Sequence, residues 1–233
     1  MKYLSIILSL TIILSCKSKT DNKLEIVPEV SDIETIQPKI EKTQDFQPTI
    51  DYDDDEWEEI VIEDGVIIDI RYATKNNFTK KQIYPCARCF LRPVLAKKIK
   101  KLQKDIKKRY GMSLKFFDCY RPRPAQQLLW DIVPDARYVT PPKKGSMHNR
   151  GLALDVTLVD NNGKELDMGT PYDYFGEKAY PAYQNLPKNV IKNRQILLKM
   201  MEAIGLKGIR TEWWHFSLKS EHAELDDWQW KCD

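Results

Sequence analysis

From Leu152 to Leu158 the chain alternates without a break: Leu152, Leu154, Val156 and Leu158 are large and apolar, and Ala153, Asp155 and Thr157 between them are small or charged. Successive side chains of a strand point to opposite faces, so one row enters a core and the other presents Asp155 between two small neighbours. Trp213 to Leu218 repeats the pattern, with Trp214, Phe216 and Leu218 in one row and Trp213, His215 and Ser217 in the other. A fold for this chain must bury both apolar rows, and that places a carboxylate and an imidazole on the opposite faces, where there is room for a ligand.

The whole chain has only three histidines. Two of them, His148 and His215, lie within a few residues of a carboxylate on these segments, and that pairing points to a metal. A catalytic zinc takes three nitrogen or oxygen ligands from the protein and keeps a fourth position for water. His148, Asp155 and His215 supply such a set, for one ion per chain. His148 follows Pro141-Pro142-Lys143-Lys144-Gly145 and is expected in a loop, where ligands are commonly presented on a rigid sheet. Hydrolysis of an amide also needs a base that takes the proton of the attacking water and delivers it to the leaving amine, and Glu212 is the candidate. Its odd separation from His215 would turn it the wrong way in a regular strand, so a bend, a bulge or a loop position just before the strand is expected. The competing reading of each histidine is a hydrogen-bonded structural residue, but two of them beside carboxylates in so histidine-poor a chain favour the metal. The helical His-Glu-x-x-His signature is absent, which excludes that class of zinc peptidase.

The pair Ser146-x-His148-x-x-Gly151-x-Ala153-x-Asp155 and Glu212-x-Trp214-His215 resembles the zinc D-Ala-D-Ala peptidases and, within them, the VanX-type D-alanyl-D-alanine dipeptidases. Arg71-Tyr72-Ala73-Thr74 with Asn77-Phe78, Leu91-Arg92, Asp118-Cys119-Tyr120-Arg121-Pro122, Asp167-Met168-Gly169 and Tyr172-Asp173 occur in the family's order, over roughly residues 57 to 218. The resemblance implies zinc ligands at His148, Asp155 and His215, the general base at Glu212 and a transition-state arginine at Arg121. A guanidinium stays charged and offers fixed donors to an oxyanion. Residue types alone favour a surface or capping role for Arg121 beside Pro122, so its assignment rests on the resemblance. By the same resemblance Asp173 receives the substrate's free ammonium group, against the alternative of a solvated turn aspartate. Ser146 either holds substrate by a hydrogen bond or caps a turn. The implied reaction is hydrolysis of unblocked D-Ala-D-Ala to two D-alanines, in a closed pocket that excludes polymeric peptidoglycan.

The N-terminus bears on location. Met1-Lys2 precedes an apolar run, Tyr3 to Leu14, that is short for a membrane helix and has the form of an export signal. Ile13-Leu14-Ser15-Cys16 resembles a bacterial lipoprotein processing site, which implies a signal peptide over 1–15 and a lipidated Cys16. An ordinary signal peptide or an uncleaved anchor are the alternatives. Lys17 to Glu56 carries scattered prolines, many charges and little periodicity, so 16–56 is expected to be a flexible, membrane-anchored tether. Asp51-Tyr52-Asp53-Asp54-Asp55-Glu56 lacks the glycine and terminal glutamate of a calcium loop and is expected to be a solvated linker end.

Residues 57–233 then form one domain. Helical patterns run over about Pro93 to Tyr110, Pro124 to Ile132 and Lys188 to Ile204, and strand patterns over Val66 to Ile70, Leu114 to Phe117, Leu152 to Leu158 and Trp213 to Leu218. Their interleaving predicts an α+β domain with a mostly antiparallel sheet and flanking helices. The formal net charge of +3 and the dispersed lysines of the Lys97 to Arg109 helix indicate an exposed face, with no nucleic-acid motif beside them.

Cys86, Cys89, Cys119 and Cys232 remain once Cys16 is assigned to lipid. Export permits disulfides, and four cysteines allow three full pairings that sequence cannot separate. Cys86-Ala87-Arg88-Cys89 is also open to half of a structural zinc or to a redox pair, though no second spaced pair accompanies it. A bridge from this region to Cys119 would stiffen the loop of Arg121. An exported lipoprotein facing the periplasm or cell exterior cannot reach a cytoplasmic precursor pool, so scavenging of D-Ala-D-Ala or turnover of cell-wall peptides is the expected role. Two further readings stand beside it: a zinc carboxypeptidase or endopeptidase trimming longer wall peptides, and a zinc-stabilised binding module without catalysis.

Overall fold

The two alternating segments become neighbouring strands of one sheet. In the computed structural model, which describes residues 52–232, the elements run β1 (Glu58–Ile60), β2 (Ile67–Ile68), β3 (Cys89–Leu91), α1 (Pro93–Tyr110), β4 (Ser113–Asp118), α2 (Arg123–Ile132), β5 (Ala153–Val159), α3 (Lys188–Ala203), β6 (Lys207–Gly208) and β7 (His215–Ser217). The main sheet has the order β2-β4-β5-β7-β6, with β1 and β3 paired apart from it. Only β2 and β4 run parallel, so the sheet is mostly antiparallel and the domain α+β, as expected. Cys16, the signal segment and residues 17–51 of the expected tether lie outside the described residues. Among the described residues no helix is long and apolar enough to cross a membrane.

β5 is central, and both of its rows are buried. One row, Leu154, Val156 and Leu158, belongs to the core; the other carries Asp155 under the site. β7 is shorter than its sequence pattern because the chain bends at Trp213 and Trp214.

α1 forms because Pro93 suits the first turn and Leu95, Ile99, Leu102 and Ile106 make one buried stripe. It ends at Gly111, which takes the left-handed conformation and donates its N–H to Lys107 O, with basic residues in the last turn favourably placed against the helix dipole. α3 buries Val190, Leu197 and Met201, and also Arg194. That guanidinium donates to the carbonyls of Met168 (2.7 Å), Lys178 (2.8 Å) and Tyr180 (3.2 Å), so it clamps the long loop between β5 and α3. Burial lowers its pKa to about 10, which still leaves it charged at neutral pH.

The folded part begins ahead of residue 57. Tyr52 sets its ring edge-on to Phe90 at 5.0 Å, Trp57 donates its N–H to Asp53 O at 2.8 Å, and Glu56 pairs with Arg92. The expected solvated linker end is therefore corrected at Tyr52 and Glu56, whose partners lie far along the chain, while Asp53, Asp54 and Asp55 are exposed as expected. At the other end Trp228 stacks on Trp57 at 5.3 Å and meets Phe90 edge-on at 4.9 Å. The predicted strand Val66 to Ile70 is cut to Ile67–Ile68, because a 3-10 turn at Arg71–Ala73 follows at once. The disulfides are Cys86–Cys232 and Cys89–Cys119, so the two cysteines of the closely spaced pair go to different bridges.

Candidate active site

Strand register assembles the site. Asp155 on β5 stands opposite His215 on β7 and, after a register shift between Phe116 and Asp118, opposite Asp118 on β4. Three adjacent strands therefore hold Asp118, Asp155 and His215 in a row. His148 joins them from a 3-10 turn, His148–Arg150, closed by Gly151 in the left-handed conformation. Any larger residue at Gly151 would place its Cβ 2.5 Å from the Trp57 ring.

Three ligand-type atoms converge. His148 Nε2 lies 3.0 Å from His215 Nδ1 and 3.2 Å from Asp155 Oδ1, and His215 Nδ1 lies 2.9 Å from the same oxygen. Neighbouring ligands in a tetrahedral zinc shell are about 3.3 Å apart, given bonds of about 2.0–2.1 Å, so the triangle suits a single ion. The other nitrogen of His148 decides which atom is bare. Nδ1 lies 2.7 Å from the Cys119 carbonyl, which only accepts, so Nδ1 carries the proton and Nε2 keeps its lone pair. Burial pushes the His215 pKa down against the pull of Asp155, which keeps that imidazole neutral. Burial opposes the charge of Asp155 too, but His148 and His215 outweigh it and hold the carboxyl far below the usual range. Tyr172 donates to its second oxygen at 3.0 Å.

Arg121 is buried beside this cluster, not on the surface. Asp118 Oδ2 accepts from its Nε (2.9 Å) and Nη2 (2.6 Å), and Gln126 Oε1 accepts from its Nη1 (2.9 Å). Burial works against the guanidinium charge, yet Asp118 more than offsets it and raises the pKa further. Nη2 reaches within 3.9 Å of Asp155 Oδ2. Asp118 is itself fixed by the Tyr84 hydroxyl at 2.8 Å and the Cys119 N–H at 3.0 Å.

The other two carboxylates sit on loops. Glu212 precedes β7, which is one of the placements its spacing predicts, and no hydrogen bond to its side chain occurs among the described residues. Burial, then the charges of Asp155 and Asp173, push its pKa well above the usual value despite Arg121. Asp173 has φ +59°, a conformation that aspartate tolerates better than most residues, and the Tyr72 hydroxyl lies 3.2 Å from both its oxygens. Burial and Asp155 raise its pKa as well. Ser146 accepts the His148 N–H at 3.2 Å, so it caps the turn. All seven expected site residues outside the N-terminus line one cavity of about 710 Å³, within the usual range for small-molecule sites. Phe78, Tyr138 and Phe175 form an aromatic wall in it, with ring centroids 5.0 and 4.9 Å apart.

Several partners were invisible to residue-by-residue reading: Asp118 as the clamp of Arg121, Tyr172 and Tyr72 as donors to Asp155 and Asp173, and Arg194 as the anchor of the Asp173 loop. Asp118, Tyr72 and Tyr172 stand in the family-like motifs, and that was their only signal.

A buried His/Asp/His cluster on an α+β sheet, with a charged arginine and a carboxylate that meets no donor among the described residues in the same cavity, defines the class: a metal-dependent peptidase centre. A family model described as peptidase M15, D-ala-D-ala dipeptidase, matches residues 57–231. The chain is 40% identical over 155 residues to a D-alanyl-D-alanine dipeptidase of Escherichia coli, covering 65% of this chain and 78% of that one. It is 31% identical to one of Enterococcus faecium and 30% to one of Enterococcus faecalis, each covering 67% of this chain and 88% of the relative. The chain belongs to this peptidase family and is a metallopeptidase.

Proposed function

We propose that the chain hydrolyses the dipeptide D-Ala-D-Ala to two D-alanines, with one zinc ion held by His148, Asp155 and His215. The observation that carries this reading is the convergence of His148 Nε2, Asp155 Oδ1 and His215 Nδ1 within 2.9–3.2 Å, in a cavity shared with Glu212 and Arg121. Zinc, when bound, supplies Lewis acidity and lowers the pKa of water. Glu212 takes the proton of the attacking water as the new C–O bond forms, then returns it to the amine as the C–N bond breaks. Its raised pKa makes it the stronger base for the first half of that transfer. Arg121, held by Asp118 and Gln126, offers its remaining donors to the oxyanion that develops on the carbonyl. Asp173 receives the substrate's ammonium group, whose charge relieves the crowding of carboxylates in the cavity. Ser146, already capping the His148 turn, holds substrate through its hydroxyl.

A second reading, a carboxypeptidase acting on longer wall peptides, is favoured by the breadth of the cavity and its aromatic wall. The closed pocket expected of a strict dipeptidase is wider than two alanines fill. Free alanine released from D-Ala-D-Ala, L-Ala-L-Ala and an amino-acylated D-Ala-D-Ala separates the two. Rapid release from the first alone supports the dipeptidase, and preference for the acylated substrate moves the reaction to the second reading. Retention of both Glu212 and Arg121 in the cavity speaks against a purely binding role.

The same proposal places the enzyme outside the cytoplasm as a lipoprotein anchored at Cys16, acting in cell-wall peptide turnover or scavenging. Its support is the sequence of residues 1–19. Substituting Cys16→Ala should move the protein from the membrane to the soluble fraction. An unchanged membrane fraction would sink the anchoring.

A further inference from the structure

The Cys119 carbonyl that receives His148 Nδ1–H belongs to a half-cystine. Cys119 is bridged to Cys89, and both are fully buried. Cys89 opens β3, while Cys119 directly follows the end of β4 at Asp118. The bridge therefore ties the small β1–β3 sheet to the end of the strand that carries the site. Two groups of the site, Asp118 and His148, hydrogen-bond to this residue. The Cys119 N–H donates to Asp118 Oδ1, whose partner oxygen holds Arg121, and Tyr120 N–H continues the junction by donating to Phe90 O at 2.9 Å. The Arg121 N–H in turn donates to His148 O at 3.1 Å, closing a ring of contacts around the turn.

The second bridge, Cys86–Cys232, is a natural contrast. It secures the C-terminal segment, with Cys232 exposed and Cys86 half-buried at the edge of the core. One covalent link stabilises an edge of the fold, and the other sits one hydrogen bond from a ligand.

We infer that the Cys89–Cys119 disulfide is a positioning element for the metal site: it holds the Cys119 carbonyl where it selects the Nδ1–H tautomer of His148 and aims Nε2 at Asp155 and His215. The inference rests on the reading of His148 as a metal ligand. Partners of this kind, one bond beyond a ligand, typically change metal affinity by about 10- to 100-fold when lost. The consequence for the enzyme is that metal retention depends on oxidation of one buried cysteine pair. Breaking the other bridge should cost global stability alone.

The test uses the full chain as wild type, as Cys89→Ala/Cys119→Ala and as Cys86→Ala/Cys232→Ala. Two readouts apply: zinc affinity by chelator competition, and the His148 tautomer by nitrogen NMR in the metal-free protein. The first double variant should lose about 10-fold or more in zinc affinity and show mixed tautomers at His148. The second should melt earlier yet keep wild-type affinity and a single tautomer. Equal loss of affinity in the two variants, or none in either, would overturn the inference. Should the Cys89/Cys119 variant not fold, wild type reduced by a phosphine and confirmed by thiol count takes its place, and unchanged affinity with both thiols free overturns it equally. A wild-type chain that binds no zinc but shows the single Nδ1–H tautomer would remove the metal reading and leave the positioning role of the carbonyl standing.

Discussion

The cavity holds two kinds of carboxylate. Asp118 and Asp155 stand on adjacent strands, fully buried; both oxygens of Asp118 accept hydrogen bonds from a tyrosine, an arginine and the backbone, while Asp155 accepts from Tyr172 at one oxygen and turns the other to the ring nitrogens of His148 and His215. Asp173 and Glu212 stand on loops; one meets a single tyrosine hydroxyl, the other no donor among the described residues. Asp155 is built to keep its charge, as its depressed pKa shows, whereas burial and repulsion from Asp155 push both loop groups up. Rigid, saturated carboxylates suit holding a cation and a guanidinium in place. Loosely held ones suit moving a proton and meeting a substrate's charge.

The contrast breaks most severely at Asp155. Asp155→Asn should weaken zinc binding by more than about 100-fold, above the range for losing an outer partner, and take activity to background. Dialysis against a graded chelator series measures it, and metal retained at wild-type affinity would contradict the ligand assignment.

At Glu212 the expected effect is on rate without loss of metal. Glu212→Gln should lower kcat by about 10²- to 10⁴-fold, the usual worth of a positioned general base, while zinc content stays at the wild-type level. Full activity in this variant would assign the proton transfer elsewhere.

Asp173 sharpens the comparison from the substrate side. Asp173→Asn should raise KM for D-Ala-D-Ala by roughly 10- to 100-fold, in line with about 1.5–3 kcal/mol for a charged hydrogen bond, and leave an amino-acylated analogue less affected. Equal loss on both substrates would mean that Asp173 does not read the ammonium group.

The smallest effect concerns stability against pH in the metal-free chain. Asp173 and Glu212 have raised pKa values, so the folded state binds more protons than the unfolded state between their ordinary and their raised values. Their contribution is therefore fully present below about pH 4, where both are protonated even when unfolded, and is lost as pH rises through the folded values. Melting temperature of the metal-free chain should fall from about pH 5 to neutrality, and the combined Asp173→Asn, Glu212→Gln variant should flatten that slope. An unchanged slope in the variant would place the titration elsewhere.

Much of this was legible before any fold. The two alternating rows named Asp155 and His215 as residues turned away from a core, and the odd spacing of Glu212 called for the irregular backbone seen before β7. The helices follow from their apolar stripes and terminal prolines and glycine, and each lies within a residue or two of its expected span. Three short strands, β1, β3 and β6, carried no readable periodicity, because two or three residues cannot display one. Tyr52 looked like part of a solvated linker because its partners, Phe90 and Trp228, lie far along the chain.

Local pattern thus determined which residues of this chain are ligand-like, which faces they share, and which segments are helical, since these depend on periods of two and 3.6 residues. Tertiary structure alone decided the rest. The register shift in β4 brings Asp118 opposite Asp155, so that Asp118 clamps Arg121. The pairing of cysteines sends Cys89 to Cys119 and Cys86 to Cys232, and the Cys119 carbonyl selects the tautomer of His148. Each of these joins groups that are distant in sequence or depends on register, and their energies arise only when separate elements meet; no run of neighbouring residues encodes them.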